Sequence, residues 1–397
     1  MIAARPDASA AVDARSVFTI FRRMPRCLPA VLALMAVFPT ALNAQMTNRA
    51  QFMVRGDVIT IGQPLGYDAN FTGGVPLPIV GTVGANTGNN TQDSAPDVFW
   101  TTTSTNAFAD TSVGLSQART TAQLNLPPGT TVTYARLYWA AKDSGGLGDP
   151  SVFLSRPNVF SVTVDDEPAA RASTLVSAVT GGFYQTSADV TSIVTEYGSG
   201  PYNVMGVNSV DFVNLFDNTA FAAWSMVVVY ELPGAPTRFV QIRDGLPNIT
   251  NGIGPVTVSG FRYSGGTPKL TIVAYEGDNA TASEQLLVNG TSVTNAINPA
   301  NNVFNNTRSA GGVAVTTTGD LPQLTGGTAS MAGLDLDTFN LAAFATNATS
   351  FTVQTTATNE IAFLGLLVAS VPSLPDTATV PAVNIARPAP GQAALTA

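Results

Sequence analysis

Short apolar or alternating runs recur along this chain between clusters of Gly, Asn, Asp and Pro: Asp57–Ile61, Thr120–Leu126, Val132–Ala141, Val159–Val164, Phe221–Glu231, Val256–Phe261, Leu270–Tyr275, Gly312–Thr317, Ser350–Thr356 and Ile361–Val371. Runs of this length and spacing predict strands, and their number predicts an all-β fold of two β-sandwich domains, jelly-roll or immunoglobulin-like. In Ala222–Tyr230 one face carries Trp224, Met226, Val228 and Tyr230 and the other Ser225, Val227 and Val229, so both sides are apolar enough for a central strand. The run Ala135–Ala141 alternates similarly, with Leu137 and Trp139 on the expected core side and Arg136 and Tyr138 opposite. Ile361–Val371 is continuous and apolar but far short of the roughly 20 residues a membrane-spanning helix needs, and reads as a buried closing strand. Only two segments sustain a helical stripe: Ser187–Tyr197, with Ser187 or Asp189 as N-cap and Gly198 at its end, and Asp335–Phe344.

Punctuation then divides the chain. Arg22, Arg23 and Arg26 precede the apolar stretch Leu28–Phe38 and the small-residue exit Ala41–Ala44, the pattern of a secretory signal peptide cleaved after Ala44. Met24-Pro25-Arg26 is a more usual start for such a signal than Met1, so residues 1–44 are expected to combine an over-called start with the signal itself. The remaining chain is long enough to divide, since chains beyond about 250–300 residues usually form two cores. Pro233, Gly234 and Pro236 break the pattern after Glu231 and place the expected boundary between domains 45–232 and 233–371. From Pro372 to Ala397 the sequence is Pro/Ala-rich without periodicity, as in a disordered tail, and Gly84–Pro96 reads as a long loop.

Composition narrows the chemistry. The single cysteine, Cys27, lies inside the expected signal, so the exported part must fold without disulfides. There is no histidine, and the only lysines are Lys142 and Lys269. This excludes a Ser-His-Asp triad, a histidine zinc site and a thiolate nucleophile, leaving carboxylate, hydroxyl or oxygen-ligand metal chemistry. The formal net charge of −8 becomes more negative once the five arginines and two aspartates of residues 1–44 are removed, which argues against nucleic acid as a partner. Abundant Thr, Asn, Ser and Gly suits an exported β-rich protein, Thr favouring strands and Asn and Gly supplying turns.

Four groups of residues in this order carry a resemblance: Ala135-Arg-Leu-Tyr-Trp139, Ala188-Asp-Val-Thr191, Ala223–Glu231, and Val273–Asp278 followed by Asn298–Asn306. Together they resemble the N-terminal β-rich module of large secreted bacterial surface proteins, which precedes arrays of immunoglobulin-like repeats in adhesin-like chains. The resemblance spans roughly Asn48 to Val371. It implies an all-β module of an exported, often cell-surface protein and carries no catalytic signature. Such relatives continue into repeats, whereas this sequence ends in a linker-like stretch.

The candidate chemistry is sparse. Glu276 and Asp278 end the Leu270–Tyr275 run and Asp335 and Asp337 begin the second helical candidate; together they could offer oxygen ligands to a structural calcium ion. The competing reading has the first pair in a solvated turn and the aspartates capping a helix. Asp165-Asp166-Glu167 reads as a turn, and Arg55-Gly56-Asp57, though it matches an integrin-binding tripeptide, simply introduces a strand. Leu374–Ala378 looks like a sorting pentapeptide but lacks the apolar span and basic end of a wall anchor. A lysine-based isopeptide crosslink could use only Lys142, expected in a solvated loop, or Lys269, expected as a snorkelling edge residue. Trp100, Phe183, Tyr184, Tyr197 and Tyr202 could form a sugar-stacking platform, with core packing as the default.

The expectation is therefore a non-enzymatic, secreted or cell-surface protein with an adhesion-like or structural role, with no transmembrane segment after signal removal. It has no catalytic residues and no cofactor apart from the candidate calcium ion, and meets an extracellular glycan or protein surface. The alternative is a secreted carbohydrate-binding module or carbohydrate-active enzyme using Glu276, Asp278, Asp335 or Asp337.

Overall fold

The computed structural model describes residues 45–67, 79–81, 98–102, 107–110, 118–143, 148–177, 181–210, 219–250, 252–277, 282–328, 330–358 and 361–375. The expected signal (1–44), most of the Pro/Ala-rich tail, the Gly84–Pro96 loop and Asp278 lie outside them.

Strands dominate, as the alternating runs predict. The first half of the chain forms β1 (Thr47–Tyr67), β2 (Ile79–Gly81), β3 (Val98–Thr102), β4 (Ala107–Asp110), β5 (Arg119–Leu124), β6 (Thr131–Asp143), β7 (Ser151–Arg156), β8 (Phe160–Asp165), β9 (Ala172–Ser177), β10 (Gly181–Asp189), helix α1 (Thr191–Tyr197), β11 (Gly200–Met205) and β12 (Phe221–Glu231). The second half forms β13 (Thr237–Asp244), β14 (Ile253–Ser259), β15 (Lys269–Tyr275), β16 (Gln285–Val288), β17 (Thr291–Ser292), β18 (Arg308–Ala310), β19 (Val313–Ala314), β20 (Leu334–Asn340), β21 (Ser350–Thr356) and β22 (Phe363–Pro372).

The large sheet runs β19-β18-β20-β15-β22-β13-β1-β12-β6-β10-β9, with β2, β3 and β4 attached beside β1. It is continuous because β1 serves two neighbours in turn: Thr47–Arg55 pairs with β13, and Gly56–Tyr67 pairs with β12. The change of partner falls at Gly56, where a Cβ would stand 1.8 Å from the Tyr230 carbonyl oxygen, so only glycine fits. The Pro233 turn lies between β12 and β13, which flank β1 from its two sides.

Three cores stack between the strands. In β12, Ala222, Trp224, Met226 and Val228 join a first core with the sheet β5-β11-β7-β8, while Phe221, Ala223, Val227 and Val229 enter a second. That second core is shared with Val240, Ile242, Val273, Tyr275, Leu366 and Val368, so the two wings of the large sheet lie face to face. Leu270, Ile272, Leu364 and Leu367 point the other way, into a third core closed by the sheet β14-β21-β16-β17. Both faces of β12 and β22 are thus covered, which explains why their sequences are apolar throughout. Trp139 and Trp224 sit directly opposite each other in β6 and β12, fully buried, each removing on the order of 200 Å² from water.

Aromatic and polar contacts pin the wings together. Phe221 stacks on Tyr275 with ring centroids 5.0 Å apart, and Phe183 meets Phe363 at 4.2 Å. Buried Gln185 donates to the carbonyls of Gly245 (2.9 Å) and Gly365 (3.1 Å) and accepts from the Tyr275 hydroxyl (2.8 Å).

Several expectations change. Asp335–Phe344 contains no helix: residues 334–340 form β20, paired with β15 and β18, because alternating Leu-Asp-Leu-Asp has the period of a strand with two different faces. The other helix is shorter than expected. Ser187–Asp189 remains in β10, paired with β6, and Asp189 Oδ1 accepts from the Thr191 N–H (2.8 Å) just before α1, which ends at Gly198. Tyr138, on the supposed outer face of β6, is fully buried because that face meets the second core. Lys142 is buried rather than solvated, with Nζ 2.7 Å from Thr219 Oγ1 and 5.2 Å from the Phe183 ring. Lys269 is not on an edge, since β15 lies between β20 and β22. Residues 373 and 374 are among the described ones, and their N–H groups donate to the carbonyls of Thr237 and Arg262.

Candidate functional site

Side-chain alternation along β20 sends Leu334 and Leu336 into the second core and puts Asp335 and Asp337 on the opposite face with Phe339, a member of the third. Both aspartates have 0% exposure. Among the described residues, neither has a cationic side chain within ion-pair distance.

Their partners come from the segment 298–309. β18 runs parallel to β20, setting Ser309 opposite Asp337 and bringing Thr307 against the carboxyl pair. The Thr307 N–H donates to Asp335 Oδ1 at 3.0 Å. Thr307 Oγ1 accepts from Asn298 Nδ2 (3.0 Å) and faces three acceptors, Asn305 Oδ1 (3.0 Å), Asp337 Oδ2 (3.0 Å) and Asp335 Oδ1 (3.4 Å). One hydroxyl carries one proton, so at most one of the three is served. Asp335 Oδ2 and Asp337 Oδ1 have no hydrogen-bond partner, and neither amide atom of fully buried Asn306 has one.

Electrostatics follow from this setting. Burial, reinforced by the Asp337 charge, pushes the Asp335 carboxyl well above the ordinary carboxylate range. Burial likewise pushes Asp337 up to about 7, against donors on Ser309, Thr307 and Asn298 that favour its ionised form. Two carboxylates so placed need a proton or a cation to be neutral.

Of the four residues expected to bind calcium, the structure brings together two. Asp335 and Asp337 converge on Thr307. Glu276 follows β15, buried and with positive φ, one residue before Gly277, whose missing Cβ would stand 2.1 Å from Asp335 Oδ2. Asp278 lies outside the described residues. Among those described, no three His, Cys, Asp or Glu side chains group as a metal centre would. Reasoning from residue type singled out the aspartates but missed Thr307, Asn298 and Asn306, although the dense asparagines of 298–306 were the available signal.

Other sequence candidates have structural employment. Arg55-Gly56-Asp57 is mid-strand, and its Asp57 binds Arg238 and Lys269. Asp166 pairs with Arg171 and Glu167 with Arg136. Phe183, Tyr184 and Tyr202 are fully buried in cores and Tyr197 stacks on Phe160, while the Trp100 side chain lies outside the described residues.

A groove of about 580 Å³ opens beside β16, β17 and the segment following β20. Its polar lining is Asn289, Thr291, Ser292, Thr294, Asn340 and Ser350, with Phe344 among its apolar residues, and among the described residues none that lines it is charged. No protein-family profile and no curated protein matches this chain.

Proposed function

We propose that this is an exported surface protein that acts by contact rather than catalysis, in an adhesion-like or structural role. The observation that carries the reading is the sealing of Asp335 and Asp337: the pair best suited to acid–base chemistry is inside the third core, beyond the reach of a polymeric substrate. The signal-like start and the resemblance of the four segments to adhesin-associated modules support export. The uncharged groove supports a partner met through neutral hydrogen bonds, as a glycan or a peptide surface offers. Contact of this kind is weak per site and gains from multivalency.

The test is binding by the purified chain displayed many copies per bead, against immobilised neutral glycans and extracellular matrix proteins. Retention on one class, reduced at least several-fold by Thr291→Ala with Asn340→Ala, is the expected result. Turnover of a glycan by the soluble protein, abolished by Asp337→Asn with the fold intact, contradicts it.

A further inference from the structure

Several buried oxygens around β20 have no protein partner among the described residues. Asp335 Oδ2 and Asp337 Oδ1 are buried carboxyl oxygens without a hydrogen-bond partner among the described residues. Asn306, the residue before Thr307, adds an amide with no protein partner at 0% exposure, and its main-chain N–H donates to Asp335. The surroundings of Asp335 Oδ2 add a second donor oxygen. The Asp335 Oδ2 atom and the Phe304 carbonyl oxygen lie 2.1 and 2.6 Å from the point where a Gly277 Cβ would sit. Two oxygens therefore face the same space beside a glycine, and either a proton or a bound cation would reconcile them.

We infer that Asp335 and Asp337, with the Asn306 side-chain carbonyl and the Phe304 main-chain carbonyl, form a binding site for a hard divalent cation of the calcium class. The donor set decides the class. Carboxylate, amide and carbonyl oxygens without nitrogen or sulfur suit calcium, which accepts 6–8 oxygens in irregular geometry, whereas magnesium demands a near-ideal octahedron and keeps its waters. Two carboxylates give a low ligand charge, so the affinity belongs at the weak end, about 10⁻⁴–10⁻³ M, the range of extracellular calcium modules. The site lies where β15, β18 and β20 meet the third core, so an ion there clamps Asn298–Ser309 onto the sheet. The inference does not depend on what the outer surface binds.

The experiment is a thermal melt of the chelator-treated chain in 10 mM calcium, in 10 mM magnesium and in chelator, with terbium luminescence as a direct binding signal. Tyr275, two residues from Gly277, is the expected sensitiser. Calcium is expected to raise the melting temperature by about 3 °C or more over chelator, magnesium to do less, and excess calcium to quench the terbium signal. Asp337→Asn should remove both effects. If that variant does not fold, Asn306→Ala should at least halve the calcium shift. Equal melting temperatures in calcium and chelator overturn the site, as does an equal calcium shift in wild type and Asn306→Ala.

Discussion

The Lys269 ammonium lies 2.6 Å from Asp57 Oδ2, tying the second half of β1 to β15 in the opposite wing of the large sheet. Asp57 Oδ1 also accepts from Ser370 Oγ at 2.6 Å and faces Arg238 Nε at 3.4 Å. One carboxylate thus serves β1, β13, β15 and β22, next to the glycine where β1 changes partners.

Burial alone would raise the Asp57 pKa, yet Arg238, Lys269 and Ser370 together hold it below the ordinary value of 3.8. A depressed carboxylate contributes stability that is complete above its unfolded pKa, about 3.9, and is lost as pH falls through the lower folded value. Asp57→Asn should therefore cost about 1–3 kcal/mol at pH 7 and pH 5. The gap to wild type should narrow only below about pH 4. Urea unfolding at several pH values reads this directly.

Gly56→Ala should be among the most damaging small substitutions. The new methyl would meet the Tyr230 carbonyl oxygen, and β1 would have to leave β12 to relieve it. A loss of about 3 kcal/mol or more is expected. Gly254→Ala, in β14 with no atom within 4 Å of its Cβ position, is the matched control and should stay within about 0.5 kcal/mol.

Arg308 Nη1 and Asp320 Oδ2 form a buried pair at 2.7 Å, and Asp320 Oδ1 also accepts the Gln123 N–H of β5 at 2.7 Å. Asp320→Ala strands a buried guanidinium and should cost about 3–5 kcal/mol. The double variant Arg308→Met with Asp320→Ala should cost less than the single changes added together, a coupling that a double-mutant cycle in chemical denaturation measures.

Chains cut at the Pro233 turn offer a fourth check. A fragment 45–232 retains the first core but exposes Phe221, Val227 and Val229, and strips Thr47–Arg55 of β13. Fragments 45–232 and 233–375 expressed apart should show little cooperative unfolding, and mixing them should restore a sharp transition. Two separate sharp melts would contradict this.

These contacts also mark what the sequence makes legible. The strands of β6, β12 and β22 could be read directly, because burial on both faces leaves an apolar run with turn residues at its ends. Asp335–Phe344 reads as a helix although Leu334–Asp337 alternates with the period of a strand; the run is short enough that its pairing with Lys269–Tyr275 is what makes the strand plain. The divided role of β1 was also hidden: nothing in residues 47–67 says that the partner changes at Gly56. The aspartate pair was visible as residue types two apart, but its burial depends on segment 298–309, some 30 positions away, folding over it.

Export followed by contact is the central claim, and the mature N-terminus measured in fractionated cells tests it most directly. The full chain, expressed from its own start and recovered from medium, envelope and cytoplasm, is sized by intact mass. A species beginning at Gln45 in the medium or outer envelope is the predicted result. An uncleaved chain confined to the cytoplasm would contradict it.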